Sequence, residues 1–241
     1  MKKGYLYFIP AIIVAGLTFM SSCGLVDCVK GSGNPETEHR KVDDFNRIQI
    51  AGSYRINLKQ DSSLSLTITG DDNLLKHVET SVSDNLLIIK SDKEMCPNNQ
   101  MTITIGVHNL KEIKSSGALE LYSNGVINVQ DLKLDFSGES RAYLNIDAAN
   151  LTTVASGNSE IKLTGQATTH NVSFSGSERF DAFNFVVSDY DIETSGNTEC
   201  EINVLHSLEL HTSGLSSVKY KGAPVRLVNE KSGTSTLERV N

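Results

Sequence analysis

Seven Ser-Gly pairs punctuate the second half of the chain: Ser116-Gly117, Ser137-Gly138, Ser156-Gly157, Ser175-Gly176, Ser195-Gly196, Ser213-Gly214 and Ser232-Gly233. A row of hydroxyls could bind a polar ligand, or one of them could act as a nucleophile. A nucleophilic serine needs a base within reach, and no histidine recurs beside the pair. The strand-to-helix elbow Gly-x-Ser-x-Gly is also missing. "SFSGS" (173–177) fits neither its pattern nor its context. The expected role is geometric. Glycine supplies a corner, and serine is a small polar neighbour that bonds to nearby backbone.

Carboxylates follow the pairs. Glu160, Glu178 and Glu199 fall at the second or third residue after a glycine, and Glu139 lies beside them in the preceding repeat. Such residues could form an acidic strip on one face. Carboxylates clustered in a groove carry out glycoside chemistry, so an enzyme acting on polysaccharide is the alternative reading. A solvated outer face is the simpler expectation, because outward strand positions are polar by alternation. The repeats vary by only a few residues and lack the long insertions that build clefts. The strip therefore stands as a candidate binding surface, with no catalytic residue assigned. It could hold calcium weakly, but the Gly-Gly-x-Gly-x-Asp repeat of calcium-loaded rolls is absent. His170, His206 and His211 sit at different offsets and are expected as scattered surface or loop residues. There is no Cys-x-x-Cys or His-x-x-x-His spacing, so no metal or cofactor is expected.

Four cysteines remain to be placed. A basic start, Met1-Lys2-Lys3, precedes an apolar run from Tyr5 to Met20 and then Met20-Ser21-Ser22-Cys23. This reads as a lipoprotein signal peptide over 1–22, with Cys23 as the lipidated new N-terminus. The run is short and broken by Pro10, so it would span a bilayer poorly. Export exposes the other cysteines to oxidising conditions. Cys28 and Cys96 lie in polar surroundings and Cys200 in an apolar column. The expected arrangement is a Cys28–Cys96 disulfide with Cys200 a buried thiol, the alternative being three free thiols. The formal charge is -7, and removing Lys2 and Lys3 takes it from -7 to -9. A scattered, acidic balance of this kind argues against a nucleic-acid partner.

The elements that must position these residues follow from the spacing. Successive Ser-Gly glycines lie 21, 19, 19, 20, 18 and 19 residues apart. The fourth residue after each is Leu121, Ala142, Ile161, Phe180, Cys200, Val218 or Leu237, all apolar. Two residues further on the column is mostly apolar again, and so is the fourth position before the glycine. Period two means strands. A unit of about 19 residues cannot bury a face alone and must stack. Ala51-Gly52 meets the same three columns, with Ile48, Ile56 and Leu58. The chain is thus expected to be all-β: a parallel β-helix of about ten coils of 18–21 residues. The 65 residues from Gly52 to Gly117 would make irregular coils carrying a short helix near 73–82, where Leu74, Leu75 and Val78 share a face and Asp71-Asp72 cap it. Residues 23–40 read as a polar tether, "GSGN" (31–34) included, and 41–241 as one domain.

"CVKGSGN", "VDDFNRIQIAGSYRINLKQ" (42–60), "ITGDDNLLKHVETSVSDNLLIIK" (68–90) and the seven Ser-Gly coils together resemble the head GIN domain family. Its members, also labelled putative auto-transporter adhesins, are common in Bacteroidota. The resemblance covers about residues 40–241. It implies a right-handed parallel β-helix in an exported, often lipid-anchored protein, and it carries no catalytic residues. It also implies a cysteine at the position of Cys28 and one near Cys96, which favours their disulfide. The expected function is a non-catalytic adhesion, binding or scaffold module of the cell envelope, anchored by lipid to the outer membrane on either its periplasmic or its surface face. Its ligand would be a glycan or a protein. The last repeat has no evident cap, so an open β edge there invites self-association.

Overall fold

The computed structural model describes residues 27–61 and 64–241. The signal-peptide reading and the lipidation at Cys23 fall outside the described residues. Among the described residues the fold is all-β, with one helical turn. In chain order the elements are β1 (Val29–Lys30), β2 (Pro35–Lys41), β3 (Arg47–Gln60), β4 (Ser65–Asp71), α1 (Asp72–Leu75), β5 (Val78–Ser83), β6 (Leu86–Ser91), β7 (Met95–Cys96), β8 (Thr102–Val107), β9 (Glu112–Gly222) and β10 (Arg226–Arg239).

The long extended segment β9 is where the Ser-Gly repeats lie, and its neighbours set its register. β3 pairs with its start in parallel, Gly52 opposite Gly117 and Ile56 opposite Leu121. β10 pairs with its end in parallel, Gly233 opposite Gly214 and Leu237 opposite Val218. Within β9 the glycines continue the stack. A Cβ on any glycine from Gly117 to Gly233 in the series would fall within 2.7 Å of the carbonyl oxygen of the preceding glycine. That approach is closer than any side-chain carbon tolerates, so each corner of the stack needs glycine. All eight glycines, Gly52 included, also have positive φ, such as 114° at Gly157, which L-residues rarely adopt. The repetition is a geometric device that lets backbone lie on backbone.

The apolar columns fall inside as the period of two requires. Ile56, Leu121, Ala142, Ile161, Phe180, Cys200 and Val218 are buried, as are Ile48, Ile113, Leu134, Val172, Ile192 and Leu210. A fully buried aliphatic side chain contributes about 1.5–3 kcal/mol relative to exposure, so stacked layers gain what a single repeat lacks.

The described residues between β3 and β9 depart from the expectation. Gly52 and Gly117 are adjacent in the stack, with no coil between them. The intervening chain goes to the other edge of β3 and builds a mixed end. β6 and β8 pair with β3 in parallel, β5 pairs with β6 antiparallel, and β4 pairs antiparallel with both β8 and β2. The expected irregular coils are corrected accordingly. The cause is a two-residue hairpin turn. Asp84 and Asn85 both take positive φ, 52° and 60°, the conformation that joins antiparallel strands.

The helix near 73–82 is also corrected. It stops at Leu75. Val78, Thr80 and Val82 alternate with polar residues, and this β-branched run pairs with β6 instead. Asp71 makes no side-chain cap bond. The polar segment read as a tether is built into the fold from residue 29. β2 runs along β4, and the Arg40 guanidinium donates to the carbonyls of Val78 (2.6 Å) and Leu75 (3.0 Å) at the end of the helical turn. Cys28 and Cys96 are joined by a disulfide, with Cα atoms 5.6 Å apart.

Candidate functional site

The strand that follows each glycine corner presents alternate residues outward. The third residue after the glycine reads Arg55, Glu120, Arg141, Glu160, Arg179 and Glu199 in successive layers. Charge alternates along the stack. Arg55 binds Glu120 at 2.8 Å, Arg141 lies 4.0 Å from Glu120, and Arg179 lies 3.5 Å from Glu199. Arg141 also reaches Glu139 at 2.9 Å. The Arg55 guanidinium beside Glu120 holds its carboxyl below the usual range, against the opposing effect of burial. Two residues further on, Lys162 pairs with Asp181 at 2.8 Å. Tyr122 and Tyr143 stack with centroids 5.3 Å apart and planes 8° from parallel, and Arg55 covers the outer ring of the pair at 5.6 Å. Each tyrosine therefore spends a face on its neighbour rather than offering it as a platform.

The acidic strip does not form as expected. Glu139, Glu160 and Glu199 are exposed, but each stands next to an arginine of the ladder. Glu178 is the second residue after its glycine, not the third, so alternation turns it inward, where it is 4% exposed. Burial pushes its carboxyl up to about 7, against a smaller pull from the nearby Thr198 hydroxyl. Reading second and third positions together concealed the ladder; reading the third column alone would have found it.

The Ser-Gly serines line the corner as small surface groups. Ser137 donates to the carbonyl of Ser115 (2.9 Å) and Ser213 to that of Thr194 (3.2 Å), each in the preceding layer. A groove of about 470 Å³ runs beside the last of them, between Ser195 and Ser213 on one side and Glu193, His211 and Glu230 on the other. His211 is held by two carboxylates, Glu209 (3.3 Å) and Glu230 (3.1 Å). They raise its pKa above the ordinary histidine value, Glu209 most. A second groove, of about 310 Å³, lies on the far side of the corner and includes Glu139, Glu160, Glu178 and Glu199.

The histidines are not all at the surface. His206 pairs with Asp189 at 2.8 Å on the outside. His170 is wholly buried, its Nε2 2.9 Å from the Thr153 hydroxyl and its ring against Phe180, Phe185 and Tyr190. Burial pushes its pKa down to about 3, so it is a neutral core residue. Cys200 is a buried thiol pushed up to about 12 by burial, and then by Glu178, too high for a nucleophile. Among the described residues no group of three or more His, Cys, Asp or Glu side chains could hold a metal ion.

One polar centre was missed from sequence. Asp71 is fully covered and accepts four hydrogen bonds. They come from the backbone N–H of Gly33 (3.0 Å), Asn98 (2.7 Å) and Asn99 (3.2 Å), and from Asn99 Nδ2 (2.6 Å). Burial alone would raise its pKa, but these bonds outweigh it and hold the carboxyl below its usual value. "GSGN" is thus one side of a carboxylate nest. Gly31 is needed there, since a Cβ would collide with the Asp71 carboxylate. The signal was present: a glycine-rich run, an aspartate and an Asn-Asn pair next to a cysteine.

These layers define a class. Residues 44–224 match the family described as "Putative auto-transporter adhesin, head GIN domain", and the chain belongs to that family. Solved structures agree on the fold. A crystal structure of a putative adhesin from Bacteroides fragilis is 24% identical with a TM-score of 0.83, covering 88% of this chain and 100% of that one. A putative adhesin from Parabacteroides distasonis is 21% identical with a TM-score of 0.64 (89% and 100%). A putative lipid binding protein from the same species is 19% identical with a TM-score of 0.63 (88% and 99%). No curated protein matches the chain.

Proposed function

We propose that this protein is a non-catalytic adhesion or binding scaffold of the bacterial envelope, lipid-anchored through Cys23, with its repeats wound as a right-handed parallel β-helix. The observation that carries the reading is the outward Arg/Glu ladder from Arg55 to Glu199. Its charges neutralise one another in place, leaving a regular polar face, indented by the 310 Å³ groove, which suits surface contact. Family membership and the names of the similar structures support an adhesive or binding role and an exported location. Among the described residues no helix is long and apolar enough to cross a membrane, which is compatible with attachment by a lipid.

The polysaccharide-enzyme alternative keeps Glu160 and Glu178 beside one groove. Glu160 is exposed but Glu178 is only 4% exposed, which disfavours them as a pair flanking one glycosidic bond. A glycan array combined with a depolymerisation assay tests the reading. Binding without product release is expected, and product release lost in a Glu160→Gln/Glu178→Gln double variant would overturn it. Palmitate labelling with a Cys23→Ala control tests the anchor, and protease shaving of intact cells tests which membrane face carries the protein.

A further inference from the structure

The second position after each glycine points inward, and its contents change along the stack. It holds Tyr54 and Leu119 in the first two layers, then Ser140, Ser159, Glu178 and Thr198. Small polar side chains thus replace large ones in the same column, with the layers still stacked at strand spacing, about 4.8 Å. Ser140 Oγ, Ser159 Oγ, both Glu178 carboxylate oxygens and Thr198 Oγ1 are all buried and lack a partner at hydrogen-bonding geometry among the described residues. The nearest relation is the weak pull of the Thr198 hydroxyl on the Glu178 carboxyl. Five orphan oxygens in four consecutive layers are far outside the ordinary pattern, since each such atom costs about 1–3 kcal/mol.

No described cation reaches Glu178. Arg179, next in the chain, faces outward to Glu199, and Arg141 is engaged by Glu139 and Glu120. In the next layer its column neighbour is the Thr198 hydroxyl, and the Cys200 thiol, close enough to feel its charge, is not positive either. The space left by the missing Cβ of Gly176 sharpens the point. A carbon there would lie 2.5 Å from the Gly157 carbonyl oxygen and 2.9 Å from Glu178 Oε1. The Gly157 N–H, 2.8 Å from the same point, is a donor at this gap, but it brings no charge to Glu178.

A buried carboxylate needs a compensating positive charge. A proton on Glu178 would neutralise it and leave the three hydroxyls and the second carboxylate oxygen as they are. A hydrated alkali cation would answer the charge and, through its waters, the hydroxyls too. One carboxylate with hydroxyl and carbonyl oxygens is a hard, all-oxygen, singly charged donor set. It matches a monovalent ion better than calcium, which gathers several carboxylates. Ser140, Ser159 and Glu178 also line the 310 Å³ groove, which gives the column a route from solvent.

We propose that the inward column Ser140–Ser159–Glu178–Thr198 is an internal binding site for a monovalent alkali cation and its water, with Glu178 supplying the charge. The site stabilises the central layers from within and is independent of any ligand on the outer face.

Thermal midpoints of the full chain decide this. They are compared in sodium, potassium and N-methyl-glucamine chloride at one ionic strength, buffered about one unit above the Glu178 pKa. The expected result is a midpoint about 3 °C or more higher in an alkali salt than in the bulky organic one. Glu178→Gln should erase that difference, and crystals soaked in rubidium should show an anomalous peak beside Glu178. Equal midpoints in all three salts with no peak overturn the proposal. So does a midpoint that rises in every salt on acidification through pH 7 and loses that rise in Glu178→Gln, because a proton then supplies the charge. Should that variant not fold, Ser159→Ala and Thr198→Val take its place, and an unchanged salt difference in both would count against the site.

Discussion

The two ends of the stack are built on different principles. At the N-terminal end the parallel layers give way to antiparallel strands, β4 and β5, with β2 outside them. A disulfide, the Asp71 nest and Arg40 tie these pieces together. At the C-terminal end β10 follows β9 in unbroken parallel register, and its own inward residues are poorly covered: Leu227 is 43% exposed. Surface links hold it, chiefly His211–Glu230 (3.1 Å) and Arg226–Glu209 (2.6 Å). One end is closed by a change of topology and covalent chemistry, the other only by repeating the pattern. A repeat specifies its own continuation and carries no instruction for stopping, so the closed end required a sequence unlike the repeats.

The comparison can be broken most forcefully at the disulfide. Replacing Cys28 and Cys96 by serine should destabilise the chain by about 4 kcal/mol, given the 68-residue separation. Urea unfolding measures this, and proteolysis should then begin in the N-terminal end. A loss below about 1 kcal/mol would mean that topology alone closes that end.

Next come the corners. Gly157→Ala places a methyl against the Gly138 carbonyl at positive φ and should cost about 3 kcal/mol. Gly233→Ala meets Gly214 in the same way, but the residues around Gly233 are exposed and can shift, so about 1 kcal/mol is expected. Equal costs would show that the two ends are held alike.

A smaller effect belongs to Asp71. Its folded pKa is depressed, so its contribution is present above the unfolded carboxylate pKa and lost as pH falls through the folded value. Acid unfolding of the wild type should show that loss. Asp71→Asn should lower the thermal midpoint at neutral pH and flatten the acid limb, and an unchanged acid limb would assign it to other carboxylates.

The smallest effect concerns His211, whose folded pKa is raised. Its contribution is complete below the unfolded histidine pKa and disappears as pH rises through the folded value. Hydrogen exchange in β10 should quicken over that range, with β3 and β8 unaffected. Glu230→Gln should move the imidazole titration, followed by NMR, back toward the ordinary value.

What could be read from sequence divides along the same line. The glycine corners and the columns of Ile56, Leu121, Ile161 and Phe180 were legible because each repeat restates them. The mixed end was not, because Leu74, Leu75 and Val78 satisfy a helical period as well as a strand followed by a turn, and only the partner strand β6 decides between them. The outward ladder failed for a different reason. Glu178 and Glu160 differ by one residue in offset, and in a strand one residue exchanges inside for outside. Asp71 reads locally as a helix cap because nothing in its neighbourhood shows that Gly33, Asn98 and Asn99, distant along the chain, converge on it.

The covalent loop has a mechanical side. Tension applied between the chain's N-terminal side and its C-terminus passes directly from Cys28 to Cys96. The residues between them, including β2, β4, β5 and β6, lie off the path of the force and cannot lengthen. A pull would therefore peel β10 and the layers of β9 one after another. The closed end would remain a rigid knot of fixed length at the point where a tether would attach.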